Sequence, residues 1–340
     1  MKTNSGCCTK GEKPALANRI RRAAGGLLFE GFFEGISRAA KLHPNARLHK
    51  HDVERIRDIP YQDTGSAAHT LDVYRPTKAH RRHSPSLPVV LYLHGGAFQI
   101  CSKETHWVMA LAYARRGFVV FNVNYRLAPE HRYPAALNDA AAAYQWVVDN
   151  AAAYGGDNTR IVLAGESAGA NLSLSLSIAS AYERKEEWAR SVWQAKVQPK
   201  LLVPACGILQ VTEPERFQSV PKLNPVIYDR ILNCTNAYVP HDDRVKDLEF
   251  LDPLLILEGA EPPSRPLPPT FIPVGTKDPI MDDSRRLHRA LERLQTPSEL
   301  AIYPGGIHAF HAFVWQKRAK ECWRDTYRFL DTYLPDDTKR

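Results

Sequence analysis

RIVLAGESAG, residues 160–169, is the stretch on which the fold reading turns. Its apolar start reads as a strand, Gly165-Glu166-Ser167-Ala168-Gly169 as a sharp turn, and the residues from Ala168 to Tyr182 as a helix. A G-x-S-x-G turn between strand and helix holds its serine at the edge of a sheet on strained backbone, with glycines on either side allowing close approach. Taken bare, the same pattern also describes a tight glycine turn with a capping serine. The strand before it and the helix behind it favour Ser167 as a nucleophile.

Outward from this turn the chain alternates. PVVLYLH (residues 88–94), GFVVFNV (117–123) and the runs at 160–164, 201–203 and 270–274 are near-continuously apolar, as strands covered on both faces by helices are. Helical stretches fall between and after them at 104–116, 135–154, 168–182, 282–294 and 314–334. Regular alternation of this kind predicts an α/β fold with a mostly parallel, doubly wound central sheet flanked by helices. Short β-prone segments at 52–61 and 69–75 precede it. Further upstream, Leu16, Ile20, Ala24, Leu28, Phe32 and Ile36 recur at helical spacing, split by Gly25-Gly26. Residues 204–269 lose the rhythm and end in EPPSRPLPP (261–269), which suits an inserted subdomain better than a loop.

Composition narrows the class. The 340 residues are 44% hydrophobic and 24% charged, the profile of a soluble chain with a substantial core. The 45 basic residues against 37 acidic give +8, but the surplus is scattered, with its densest spots at Arg19, Arg21, Arg22 and at Arg81-Arg82. A nucleic-acid binder would show a basic stripe with interleaved aromatics or a known module. Cysteines at 7, 8, 101, 206, 234 and 322 form no CxxC pair, so reduced thiols in a cytoplasmic protein are expected rather than a zinc site or disulfide framework. Residues 1–11 lack the apolar core of a signal peptide, and no apolar run is long enough to span a membrane.

Three further pieces suit acyl transfer. His94-Gly95-Gly96-Ala97-Phe98 follows the strand at 88–93, and a Gly-Gly turn there exposes backbone N–H groups to an oxyanion, with Ala168 N–H completing the hole. FIPVGTKDP (271–279) is a strand ending at Asp278, and LAIYPGGIHAF (300–310) a strand ending at His308. A lone Asp before proline is usually a turn residue and a lone His usually polar surface. Together they follow Ser167 in the order acid then histidine that an α/β hydrolase needs. Asp282, Asp283 and His311 are the competitors, each set inside the element that follows.

HGGAF at 94–98, NYRLAPEHRYPAALND at 124–139, GESAG at 165–169, DPIMDD at 278–283 and PGGIHAF at 304–310 resemble the hormone-sensitive-lipase-like esterases, the bacterial family IV carboxylesterases. The resemblance runs over about residues 60–335. It implies an α/β-hydrolase core in two parts, 51–204 and 261–340, with a helical cap built from residues 1–50 and 205–260. It implies a carboxylic ester hydrolase for short- to medium-chain esters, with no cofactor and no metal. Carried over, Ser167 is the nucleophile, His308 the base and Asp278 its orienter, while Gly95, Gly96, Ala97 and Ala168 surround the oxyanion. The expected partner is a small-molecule ester, with no nucleic acid, no stable membrane insertion, and room for a homodimer.

Departures from the family pattern are few. Ala97 replaces the usual third glycine, Glu166 the commoner Asp, and Ala309 the glycine of His-Gly-Phe. Arg126 and Glu130 are read as locks on the loop near the oxyanion turn. Amide or sugar deacetylation on the same triad, a non-catalytic receptor, and a basic N-terminal membrane anchor are the rival readings.

Overall fold

The apolar runs around the serine turn become the middle of one sheet. The computed structural model describes residues 31, 34, 35, 37–43, 46–77, 86–195, 197–221, 223–242, 245 and 247–334. In chain order the elements are β1 (Val53–Pro60), β2 (Thr70–Pro76), β3 (Leu87–Leu93), α1 (Trp107–Ala114), β4 (Val119–Val123), α2 (Ala135–Asn150), β5 (Gly156–Glu166), α3 (Ala168–Ala181), α4 (Glu187–Gln194), β6 (Leu201–Ala205), α5 (Pro225–Tyr238), α6 (Pro253–Gly259), β7 (Thr270–Gly275), α7 (Met281–Arg293), β8 (Ser298–Tyr303) and α8 (Lys317–Tyr333). The strand order is β1-β2-β4-β3-β5-β6-β7-β8. β2 runs antiparallel to β1 and β4, and β3 to β8 are parallel.

Strand periodicity distributes the core. Val89, Leu91 and Leu93 of β3 join the layer built with α2, α3, α4 and α7, while Val90 and Tyr92 join that of α1 and α8. β3 lies between β4 and β5, so the chain leaves it to one side and later returns to the other. Such a switch point opens a crevice at the carboxyl ends of the flanking strands, which is where open α/β sheets place their ligands. His94 follows β3 and Ser167 follows β5 there.

α3 is buried along its entire length despite its serines. Ser173 Oγ donates to Gly169 O at 2.8 Å and Ser175 Oγ to Asn171 O at 2.9 Å, which satisfies these two hydroxyls inside the helix. Between β6 and β7 stand α5 and α6. α5 opens on an Asn224 cap, whose side chain accepts from Val226 N, with Pro225 at the first helical position.

Local chemistry shifts some expected boundaries. α1 starts at Trp107 because the N–H groups of Thr105 and His106 both turn back to Ser102 O. α8 starts at Lys317, after a 3₁₀ turn at Phe310–Ala312. α4 is an element the sequence reading did not expect; it buries Trp188, Ala189 and Val192 along one side. Leu16, Ile20, Ala24, Leu28, Phe32 and Ile36, with Cys7 and Cys8, lie outside the described residues. Residues 37–42 are helical, and Ser37 Oγ donates to Glu104 O at 3.1 Å while accepting from Trp107 Nε1 at 3.2 Å. No helix among the described residues is long and apolar enough to cross a membrane.

Candidate active site

Ser167 occupies the turn from β5 into α3 with φ 52° and ψ −114°, a conformation that strains any residue with a side chain. The turn holds because its flanks are glycines. A Cβ on Gly165 would stand 2.4 Å from Gly169 O, and one on Gly169 only 2.0 Å from Leu93 O. Ser167 N donates to Ala205 O at 3.0 Å, tying the elbow to the end of β6. The next residue, Cys206, presents its sulfur within 4.8 Å of donor atoms of both Asp278 and His308. The elbow therefore lies beside the loops that follow β7 and β8.

Those loops bring the expected acid and histidine together: His308 Nδ1 lies 2.9 Å from Asp278 Oδ2. Asp278 is buried, and its Oδ1 accepts from Ile280 N at 3.0 Å, which fixes the carboxylate plane. The competing acids go elsewhere. Asp282 is exposed, and Asp283, fully buried, accepts from Arg216 and from the N–H groups of Leu209 and Gln210. His311 turns to Glu166 instead, its Nε2 3.1 Å from Oε2.

The glycine turn after β3 is equally constrained. Gly96 has φ 118°, and a Cβ there would fall 2.1 Å from Ile100 O. Ala97 (φ 54°) and Phe98 (φ 60°) are both left-handed, each costing about 1–2 kcal/mol. Gly95 N lies 3.3 Å from His106 Nε2. Among the described residues neither Gly96 N–H nor Ala97 N–H has a partner, and Ala168 N–H stands at the first position of α3. α5 backs this turn: Tyr238 stacks on Phe98 at 3.7 Å, Asn233 Nδ2 donates to Gln99 Oε1 at 3.0 Å, and Cys234 Sγ lies 3.6 Å from Ala97 O.

Residues 90–312 match the family described as the α/β hydrolase fold. A carboxylesterase of Mycobacterium tuberculosis, NlhH, is 34% identical over 231 residues, spanning 67% of this chain and 68% of that one. The chain belongs to the hormone-sensitive-lipase-like carboxylesterases. An acetyl esterase of Salmonella schwarzengrund is 31% identical over 260 residues, 74% of this chain and 75% of its own. Esterase B of Lactobacillus rhamnosis, solved with an inhibitor, superposes with a TM-score of 0.76 at 18% identity, over 93% of this chain and 96% of that one; it speaks for the fold.

In this family member the electrostatics around the serine follow from burial and two fixed anions. Burial disfavours a charged His308, but the Asp278 carboxylate outweighs it and Glu166 adds to it, so the pKa of His308 is raised above the usual histidine value. Burial, with His106 nearby, pushes His94 down to about 3. A neutral His94 donates from Nδ1 to Gly95 O at 2.7 Å and stacks on Tyr125. Cys206, Asp278 and His308 could in principle ligate a metal. Burial and the Asp278 charge push the Cys206 thiol well up, however, which favours the thiol over the thiolate that ligation requires.

Of the two expected locks, only Arg126 acts as one. Its guanidinium grips Asp139 at 2.7 and 2.9 Å, and His69 Nε2 lies 3.2 Å from the same carboxylate, whereas Glu130 is exposed. Asp139 is the lock the sequence reading missed. It lies in the same motif, one helix onset further along.

Proposed function

We propose that the protein hydrolyses carboxylic esters of short to medium acyl length through Ser167, His308 and Asp278. The observation that carries this reading is the strained Ser167 elbow beside a histidine bonded to a buried carboxylate at 2.9 Å. Ser167 Oγ attacks the ester carbonyl while His308 Nε2 takes its proton. Asp278 holds Nδ1–H and so the tautomer. Negative charge on the carbonyl oxygen is received by the N–H groups of Gly96, Ala97 and Ala168, with Gly95 shaping the turn. Collapse returns the proton from His308 to the departing alcohol and leaves an acyl-serine, which water, deprotonated by His308, then hydrolyses.

Residues 205–260, with the N-terminal segment 1–50, form the cap in this reading, supported by the contacts of α5 with the oxyanion turn. The acetyl ester in the name of the Salmonella relative supports a short acyl pocket. Cys206, Cys234 and Cys322 are buried and outside disulfides, which supports a reducing, cytoplasmic setting. The test is a fluorophosphonate probe with a panel of p-nitrophenyl esters from acetate to palmitate. Ser167→Ala should lose labelling and lower kcat by at least about 10³-fold with its fold intact. A folded Ser167→Ala protein with near-normal turnover would end the reading.

A further inference from the structure

Glu166 immediately precedes Ser167, and its carboxylate is buried beneath the catalytic turns. Each oxygen meets a histidine from a different loop. Oε1 lies 2.8 Å from His106 Nε2, and Oε2 lies 3.1 Å from His311 Nε2. An ionised carboxylate only accepts, so His106 donates from Nε2 to Oε1, while His311 Nε2 stands at ion-pair distance from Oε2. His106 caps α1 behind the oxyanion loop, and its ring lies 5.5 Å from that of His94, the residue that opens that loop. A methyl on Gly95 would fall 3.0 Å from Glu166 Oε1, so the carboxylate fills the space under that turn. His311 stands three residues after His308, and its carbonyl accepts from Trp323 Nε1 of α8 at 3.1 Å.

We propose that Glu166 is a positioning residue, a buried carboxylate that clamps the oxyanion turn, the serine elbow and the base loop together and holds a fixed negative charge behind His308. The proposal rests on the Ser167, His308 and Asp278 reading above. Burial works against the charge, but the two imidazoles outweigh it and keep Glu166 well below the usual carboxylate range. The other titratable groups that face it are neutral: His94, just after β3, is lowered to about 3, and the Tyr92 and Tyr125 hydroxyls and the Cys206 thiol are all pushed up by burial. Asp278 and Glu166 are thus the two anions that act on His308. Removing the second makes His308 easier to deprotonate, so the base becomes competent at lower pH.

The experiment measures kcat and KM for p-nitrophenyl acetate from pH 5 to 9 in wild type, Glu166→Gln, Glu166→Asp and Ser167→Ala. Glu166→Gln should move the acid limb of kcat/KM down by about half a pH unit. Its kcat at pH 8 should fall about tenfold while KM changes less than about threefold. Glu166→Asp keeps the charge but shortens the reach, so its limb should stay in place while kcat falls. An unmoved limb in folded Glu166→Gln would overturn the proposal, as would a limb in Glu166→Asp displaced as far as that of the Gln variant. If the Gln variant does not fold, the Asp variant decides, and wild-type kcat there refutes the clamp. Turnover in Ser167→Ala would instead sink the triad reading, whereas an inactive Ser167→Ala beside an unmoved Gln limb sinks the role of Glu166 alone.

Discussion

DPIMDD, residues 278–283, holds two buried carboxylates five residues apart with different partners, and the proposed mechanism gives a catalytic task to Asp278 alone. Asp283 is fully buried at the first turn of α7 and accepts four bonds: from Arg216 Nη1 at 2.6 Å and Nη2 at 3.0 Å, from Leu209 N at 2.9 Å and from Gln210 N at 3.3 Å. It fastens the chain leaving β6 to α7. Breaking a buried ion pair from one side costs about 3–5 kcal/mol. The Arg216 side chain is 20% exposed, which sets its share at the low end, about 3 kcal/mol. Two buried N–H groups left without acceptors add about 1 kcal/mol each. For a chain of 340 residues the unfolding entropy is about 0.7 kcal/mol/K, so a loss of about 5 kcal/mol lowers Tm by about 7 °C.

Asp283→Ala should therefore melt about 7 °C lower by differential scanning calorimetry, yet keep kcat within about threefold at 25 °C. Asp278→Asn should do the reverse. Its Oδ1 still accepts from Ile280 N, so Tm moves by less than about 2 °C. The amide facing His308 Nδ1 favours the wrong tautomer, and kcat should fall on the order of 10³-fold or more. Crippled turnover at unchanged Tm in Asp283→Ala, with a robust Asp278→Asn enzyme, would refute both assignments.

Other expectations follow from single contacts. Because Asp278 and Glu166 raise the pKa of His308, and the base must be neutral, the acid limb of kcat/KM should titrate above the ordinary histidine value of about 6.5; a limb below 6 would contradict this. Gly169→Ala puts a methyl 2.0 Å from Leu93 O and 2.6 Å from His94 O, backbone atoms of the central strand and the turn it feeds, so it should yield insoluble or inactive protein; an active, soluble variant would show that the elbow relaxes freely. Deleting residues 1–45 removes Ser37 from Glu104 and Trp107 and should cost ester turnover or solubility, whereas a fully active truncate would argue against a cap role for this segment.

What was legible in the sequence, and what was not, divides along one physical line. The parallel strands announce themselves because both faces are covered, which forces apolar residues at consecutive positions such as Val89–Leu93. The serine turn announces itself because strain and close approach leave glycine as the residue that fits at 165 and 169. α3 is harder, since its Leu-Ser alternation has the period of a strand; as a helix it is buried on every side, and Ser173 and Ser175 can be buried there because their hydroxyls bond to carbonyls one turn back. The inner polar frame leaves no period at all. Arg126 pairs with Asp139 rather than the nearer Glu130 because the start of α2 turns Asp139 inward and leaves Glu130 at the surface.

His106 and His311 come from two separate loops and Glu166 from the last position of β5, and no spacing marks them as partners. They meet because Glu166 ends β5 while His106 and His311 lie in the segments that follow β3 and β8, and the sheet brings those strand ends to one side. A buried carboxylate there must be neutralised by whatever the neighbouring turns supply. Those turns are the ones to which the proposed mechanism assigns the oxyanion donors, the serine and the base. Where this topology places a carboxylate before the elbow serine, its partners come from the neighbouring loops at the same sheet edge, as His106 and His311 do here, so pairing that carboxylate and aligning those loops become the same structural task.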